Sequence, residues 1–440
     1  MKLKNYVGYG LGDFAFNIFF QGTTLFLMFF YTDILKINST QAGTVFLIAT
    51  IWDAVSDPLM GFLAGRTRSR FGRYRIYLLV APIPLGIFYT LMFYQPAFQG
   101  WQLLFWVTAI QILYRTFFTV GNIPYSSLSA VMTTDAHERS KLAAYRMFFG
   151  YAGAMMVSVL TGKLMSQLNW LPNEDGYLRV GVVFSLFAFI LFLISYAYTF
   201  ERTQATTQTQ HKLKDIFKML QTNRPFWKLC GFIMTGMAGV VIFYQSLVYF
   251  FKYNLQNEVA LTNGMLLLFT CLMLFLPFWL WLSGKIGKRK TLISGCAVLV
   301  VGGLSFFFNP LLSQNISWVF AHMGLMGIGI GCAAFSFWAM LPDTVEYGEW
   351  STGIRAEAMI FGLGLFFLKV ALGIGSFILG LLLNYFEYTP DNSLSDYTLE
   401  GIHLITTLSM VFPAIVIILI MSTYQLNQPF YTKIIQEKNQ

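Results

Sequence analysis

The basic hexapeptide RFGRYR, Arg70 to Arg75, returns as KIGKRK, Lys285 to Lys290. Both copies read basic, apolar, glycine, basic, any residue, basic. One basic loop is a topology anchor, but a matched pair at equivalent places points to an internal repeat of the kind many transporter folds contain. The apolar runs around the two copies supply those places. A helix that crosses a bilayer needs about 20 mostly apolar residues. Spans are expected at roughly 8–34, 41–64, 75–95, 101–132, 142–168 and 178–200, then 225–252, 262–283, 291–311, 316–341, 356–385 and 401–424. The first hexapeptide follows the second span. The other follows the eighth, which is the second span of the other half. The polar segment Glu201 to Arg224, containing TQATTQTQHKLK, has a linker composition and divides six spans from six. The expected organisation is an N-terminal six-helix bundle over 1–200, a cytoplasmic linker over 201–224 and a C-terminal six-helix bundle over 225–440. The fold class is an all-α integral membrane protein, twelve transmembrane helices in two pseudo-symmetric halves.

Bulk composition agrees. Of 440 residues 56% are hydrophobic and 11% charged, whereas a soluble domain is typically about 25% charged. The 45 Phe and 23 Tyr suit a chain whose sides face lipid and whose rims sit among headgroups. A net charge of +9 suggests nucleic-acid binding in a soluble protein. Here the charge sits in short loops and sets topology instead. With the N-terminus inside, the cytoplasmic loops hold the cations of Arg66 to Arg75, Arg139 and Lys141, Arg202 to Lys228, and Lys285 to Lys290. The opposite loops hold Lys36, Arg179 and Lys252. Both termini are therefore expected in the cytoplasm. The opening MKLKNYVGYGLGDFAF lacks a small-x-small cleavage site after its apolar run and reads as the first span. Cys230, Cys271, Cys296 and Cys332 lie in apolar runs without CxxC spacing and read as inert thiols.

Within the second span, TIWDAVSDPLMG (Thr50 to Gly61) carries Asp53 and Asp57. Four residues apart, they share one helix face. A charge at the bilayer centre costs several kcal/mol, so such residues usually face a cavity and bind something. Two neighbouring carboxylates repel, and the pair is suited to holding one proton near neutral pH or a small cation between its oxygens. The bland alternative is an ion pair with a neighbouring helix. Pro58 is expected to kink the helix beside them.

The stretches GYGLGDFAFN, FFYTD, IWDAVSDPLMG, TRSRFGRYR, GNIPYSSL and LPDTVEYGEWSTGIRAE, in this order and spacing, resemble the glycoside–pentoside–hexuronide:cation symporters of the major facilitator superfamily. That family includes the melibiose carrier and the glucuronide and xyloside carriers. The resemblance covers about residues 8–424. It implies two six-helix bundles rocking around a central site, taking up a sugar with a cation. In the melibiose carrier the pair corresponding to Asp53 and Asp57 helps build a sodium site with a third carboxylate on the fourth helix. That position here is Asn122. The family's sugar-binding carboxylate on the first helix aligns with Asn17, with Asp13 one turn earlier. The lost negative charge favours a proton as coupling ion, with sodium at Asp53 and Asp57 as the alternative; no other metal and no cofactor is expected. Asn17 and Asn122 keep amides that bond sugar hydroxyls. By resemblance Arg146 and Lys369 line the cavity, one from each half, or else neutralise the aspartates. Arg115 is a third basic candidate, for the cavity or for helix packing.

Two carboxylates with one protonated, against Arg146 and Lys369, leave a net positive pocket, which suits an acidic sugar such as a glucuronide; a neutral glycoside, carried with sodium, is the alternative. An arginine binds a carboxylate through two parallel hydrogen bonds. Trp338 and Phe118 are the expected stacking faces, with ordinary packing as the alternative. Asp343, Glu346 and Glu349 lie near Arg355 in LPDTVEYGEWSTGIR. Pairs between these and basic loops, Arg70 and Arg73 included, are expected to bias a cytoplasmic gate, each pair being individually weak. His137, His211, His322 and His403 are not expected to relay protons.

The expected function is a sugar or glycoside importer coupled to a cation, working as a monomer in a bacterial cytoplasmic membrane. A lysolipid carrier on the same fold is the second reading. HExxH, GxSxG and a phosphate loop followed by Lys are all missing, which argues against an enzyme.

Overall fold

The structure is a computed structural model that describes residues 1–133, 136–167, 174–201, 213–308, 315–354, 357–390, 394–426 and 437. Its helices are, in chain order, α1 (Leu3–Gly22), α2 (Ser39–Arg66), α3 (Tyr77–Val80), α4 (Pro82–Met92), α5 (Trp101–Met132), α6 (Ala136–Gln167) and α7 (Glu174–Tyr198). There follow α8 (Leu213–Thr222), α9 (Arg224–Tyr249), α10 (Glu258–Leu274), α11 (Leu276–Ile286), α12 (Lys288–Phe307), α13 (Ile316–Thr352), α14 (Glu357–Tyr385) and α15 (Asp396–Ser422). Helix is what lipid demands, because backbone N–H and C=O groups find no water there. Side-chain caps set several starts. Asn38 accepts from Thr40 N, Asn223 from Phe226 N, Asn315 from Ser317 N and Ser395 from Thr398 N.

Among the described residues ten helices are long and apolar enough to cross a membrane, α10 and α11 counting as one. The first and third expected spans are also helical, but each is interrupted. α1 runs on through π-helical turns at Thr23–Leu27 and Phe30–Ile34. In the third, Pro82 and Pro84 cannot donate to Leu78 and Val80, and the helix divides into α3 and α4. Pro277 has the same effect at the α10–α11 junction. Pro58, Pro124, Pro342 and Pro413 stay inside their helices.

The chain divides into two compact units. One comprises Met1–Thr207, Asn257–Asn263 and Gly380–Leu394; the other Gln208–Gln256, Gly264–Leu379 and Ser395–Gln440. In the first, α1 packs on α6 and α7, α2 on α5, and α4 on α5 and α7. In the second, α9 packs on α15, and α12 on α13 and α15. The pairings α1–α7, α4–α7 and α4–α5 thus recur as α9–α15, α12–α15 and α12–α13. Finer detail recurs too. The π turn Phe30–Ile34 has its counterpart at Phe250–Asn254, and each leads into a left-handed residue, Lys36 (φ 57°) and Gln256 (φ 51°).

Both hexapeptides place their glycine at positive φ, Gly72 at 100° and Gly287 at 84°. Their surroundings then part ways. In the first copy the Glu201 carboxylate accepts from the backbone N–H groups of Arg73, Tyr74 and Arg75 at 2.8–3.0 Å. A Cβ on Gly72 would stand 2.7 Å from Glu201 Oε1. In the second copy Lys288 opens α12 directly.

The segment read as a polar linker also contains α8. Met219 and Leu220 on it are buried, and Asn223 donates to the Thr344 carbonyl at 2.8 Å. Its last residues are therefore packed within the second unit.

Candidate functional site

α1 and α6 lie close because α6 presents glycine where they cross. A Cβ on Gly150 would sit 2.5 Å from Asp13 Oδ2 and 3.0 Å from Asn17 Nδ2. Into this contact α1 projects Asp13, 8% exposed, and Asn17 one turn later. Arg146 Nε donates to Asp13 Oδ1 at 2.8 Å, and Asn17 Nδ2 donates to Asp13 Oδ2 at 3.1 Å. The Arg146 side chain keeps 34% exposure, and its guanidinium lies 5.6 Å from the Tyr125 ring centroid. Tyr125 stacks on Tyr9 at 4.8 Å and donates its hydroxyl to the Tyr9 carbonyl. The result is a carboxylate, an amide and a guanidinium side by side, backed by aromatic rings. Such a set offers both donors and acceptors to a polyhydroxylated ligand.

α2 and α5 meet in a polar ladder. Trp52 Nε1 donates to Thr116 Oγ1 at 2.8 Å, Arg115 Nη1 to Asp53 Oδ2 at 2.9 Å, and Thr119 Oγ1 to Asp57 Oδ1 at 2.7 Å. Asp53 and Asp57 are one turn apart on α2. Arg115 and Thr119 are one turn apart on α5, so the two rungs match in register. Asp53 is 3% exposed and Asp57 half-buried. Arg115 thus pairs with Asp53, while Arg146 pairs with Asp13.

Phe118, half-buried on α5, meets Phe16 of α1 edge-on at 5.5 Å. This contact joins the α1–α6 cluster to the α2–α5 ladder. Asn122 is half-buried one turn further along α5. Trp338 and Lys369 belong to the second unit, on α13 and α14. Trp338 is 38% exposed with its ring edge-on to Phe337.

Of the expected gate residues, Asp343 receives Lys288 Nζ on both oxygens, at 2.7 and 2.8 Å, within the second unit. Glu346 follows one turn later on α13. Arg73 donates to the carbonyls of Ala64 and Gly65 and so completes the end of α2. Exposed Arg70 has its guanidinium 4.7 Å from the Phe71 ring. Arg355 lies outside the described residues. Beyond the span in α6, the Tyr6 hydroxyl and the N-terminal amine hold the Glu138 carboxyl below its ordinary value. Among the described residues no group of three or more His, Cys, Asp or Glu is placed to hold a metal.

The sequence matches the family described as MFS/sugar transport protein over residues 8–428. The chain belongs to this sugar-transport family of the major facilitator superfamily. As a member it is a multi-pass membrane transporter and not an enzyme. It is 31% identical to the isoprimeverose transporter of Lactiplantibacillus pentosus, over 90% of this chain and 83% of that one. It is 29% identical to the putative glycoside/cation symporter YagG of Escherichia coli (strain K12), over 95% of this chain and 90% of that one. The crystal structure of the nucleoside transporter NupG matches with a TM-score of 0.67 across 97% of this chain and 100% of that one. At 14% identity this is a likeness of fold alone.

Asp13, Thr119 and the Arg115–Asp53 pair are the parts of the site that the sequence reading left out or left open. Asp13 had a signal of the same kind as Asp53, a carboxylate within an apolar run. Thr119 had none, because a threonine in a membrane helix commonly bonds its own backbone.

Proposed function

We propose that this chain imports a sugar or glycoside together with a cation, most simply a proton, by exposing the polar surface of α1, α2, α5 and α6 to each face of the membrane in turn. The observation that carries the reading is the pairing of two unlike polar groups in one unit. Asp13, Asn17 and Arg146 form a set of donors and acceptors suited to sugar hydroxyls. Asp53 and Asp57 form a carboxylate pair suited to an ion. Phe118, in ring contact with Phe16, connects them. The symport reading is supported by the relative named as a glycoside/cation symporter, and the sugar by the family and by the isoprimeverose transporter. Basic residues concentrated in one set of loops support cytoplasmic termini.

Arg146 favours a second substrate class. It spends Nε on Asp13 and keeps a third of its surface exposed. A guanidinium presented this way suits a carboxylate on the sugar. Trp338 and Lys369 are binding candidates on the family resemblance.

The test is external pH in energy-free, right-side-out vesicles as single glycosides are added in sodium-free buffer. Isoprimeverose and other neutral glycosides are paired with uronic-acid counterparts. Alkalinisation that is lost in Asp57→Asn supports proton symport, and the sugars that evoke it define the substrate class. Uptake that appears only when sodium is supplied overturns the proton assignment.

A further inference from the structure

On α1, Asp13 and Asn17 are followed one turn later by Gln21, so three polar side chains share one side of the helix at four-residue steps. Gly150 and Gly153 mark that side as the one facing α6. A Cβ on Gly153 would stand 2.7 Å from the Phe14 carbonyl oxygen and 3.3 Å from Asn17 Cβ. Gln21 is 4% exposed, and its Nε2 is buried with no hydrogen-bond partner among the described residues. One turn beyond Gly153 and Ala154, α6 brings Val157 and Ser158 to this level. Both are buried, and the Ser158 hydroxyl donates to the Ala154 carbonyl at 2.8 Å. A buried N–H without an acceptor destabilises the fold, and an apolar side chain of similar length would avoid that cost. The stranded donor therefore points to a use outside the packing.

We infer that Gln21 is a substrate-binding residue that bonds a hydroxyl on the second ring of a two-ring glycoside, whose first ring lies at Asp13, Asn17 and Arg146. The inference rests on the reading of that cluster as the sugar site and adds to it the size class of the substrate. Spacing carries it. Four residues of helix advance about 6 Å, roughly the length of one sugar ring, so Gln21 stands one ring along from Asn17. The chemistry agrees. A primary amide has two N–H donors and an acceptor oxygen, which suits a hydroxyl that both donates and accepts. The Asn17 Nδ2 is already spent on Asp13, on its backbone oxygen at 2.9 Å and on Oδ2 at 3.1 Å. The Gln21 Nε2 is not. A single sugar ring held by the first cluster stops short of it. A second ring reaches it and turns a stranded donor into a hydrogen bond.

The test is equilibrium binding of radiolabelled sugars to the purified full-length chain. The two-ring probes are isoprimeverose, xylobiose, cellobiose and glucuronosyl-xylose; the single-ring probes are xylose, glucose and glucuronate. The wild type should bind at least one two-ring probe more tightly than the single rings that compose it, by about tenfold, the worth of one added hydrogen bond. Gln21→Met, apolar and of similar length, should remove that advantage and leave single-ring affinity unchanged. Its unfolding temperature should hold or rise, because a stranded donor is gone. Gln21→Leu serves if the methionine variant aggregates. A monodisperse Gln21→Met or Gln21→Leu protein that keeps the two-ring advantage overturns the proposal. So does an equal loss of affinity for both probe sizes, which would make Gln21 a packing residue between α1 and α6. Failure of the wild type to bind any probe is a different result, because it overturns the sugar-site reading itself and this inference with it.

Discussion

Asp13 shows what one ionised side chain needs in order to exist inside a membrane helix. It is buried at 8% exposure, and its two oxygens receive one charged and one neutral donor, Arg146 and Asn17. Removing one partner of such a pair strands the other. Asp13→Asn is therefore expected to cost about 1–3 kcal/mol of stability, below the 3–5 typical of a fully buried pair because Arg146 is a third exposed. Asp13→Asn combined with Arg146→Gln leaves two neutral groups and should recover much of the loss. Thermal unfolding in detergent compares the three proteins; equal losses in the single and double variants would show that the pair adds nothing. Glu138 gives a pH prediction. Its folded carboxyl is held below the ordinary value by the Tyr6 hydroxyl and the N-terminal amine. A depressed carboxyl contributes stability above its unfolded pKa and loses it as pH falls through the folded one. The gap in unfolding temperature between wild type and Glu138→Gln should thus be full near neutral pH and narrow as pH falls below the ordinary glutamate value of about 4.3.

At the scale of the element, the approach of α1 to α6 decides whether the α1–α6 cluster exists. Gly150→Ala would put a methyl 2.5 Å from Asp13 Oδ2, on a side chain that is itself held by Arg146. The expected result is a loss of about 1–3 kcal/mol, the range for overpacking, together with impaired glycoside uptake. Gly362→Ala in α14 is the control. Its Cβ meets nothing within 4 Å, and alanine is the better helix former, so stability should hold or rise by up to about 1 kcal/mol. Equal losses at both positions would mean that the effect is not steric. Elements were also what the sequence disclosed best. Apolar length gave the spans, because lipid imposes it locally. Which prolines break a helix was not legible: Pro58 and Pro124 are absorbed, whereas Pro82 and Pro84 divide one. The outcome depends on neighbours that re-satisfy the freed carbonyls. The site divides in the same way. Asp53 and Asp57 stand out as charges in an apolar run. Their pairing with Arg115 and Thr119 depends on the register of α2 against α5, which no local pattern in either helix states.

For the whole molecule the testable quantity is the charge moved per cycle. One cation crossing at a membrane potential of about 100 mV gains about 2.3 kcal/mol, enough for roughly fiftyfold accumulation. The ladder on α2 and α5 and the cluster on α1 and α6 then predict two behaviours for two substrate classes. A neutral glycoside carried with one proton moves one net positive charge inward. Dissipating the potential while holding the pH gradient should lower its accumulation by about fiftyfold from a starting potential of about 100 mV. A uronate carried with one proton moves no net charge, so the same treatment should leave its accumulation unchanged. Vesicles clamped with potassium and valinomycin, with radiolabelled sugars of each class, separate the two. A neutral glycoside whose accumulation ignores the potential would break the one-cation stoichiometry. A uronate that responds to it would require a second cation, and hence an ion site beyond the Asp53 and Asp57 pair.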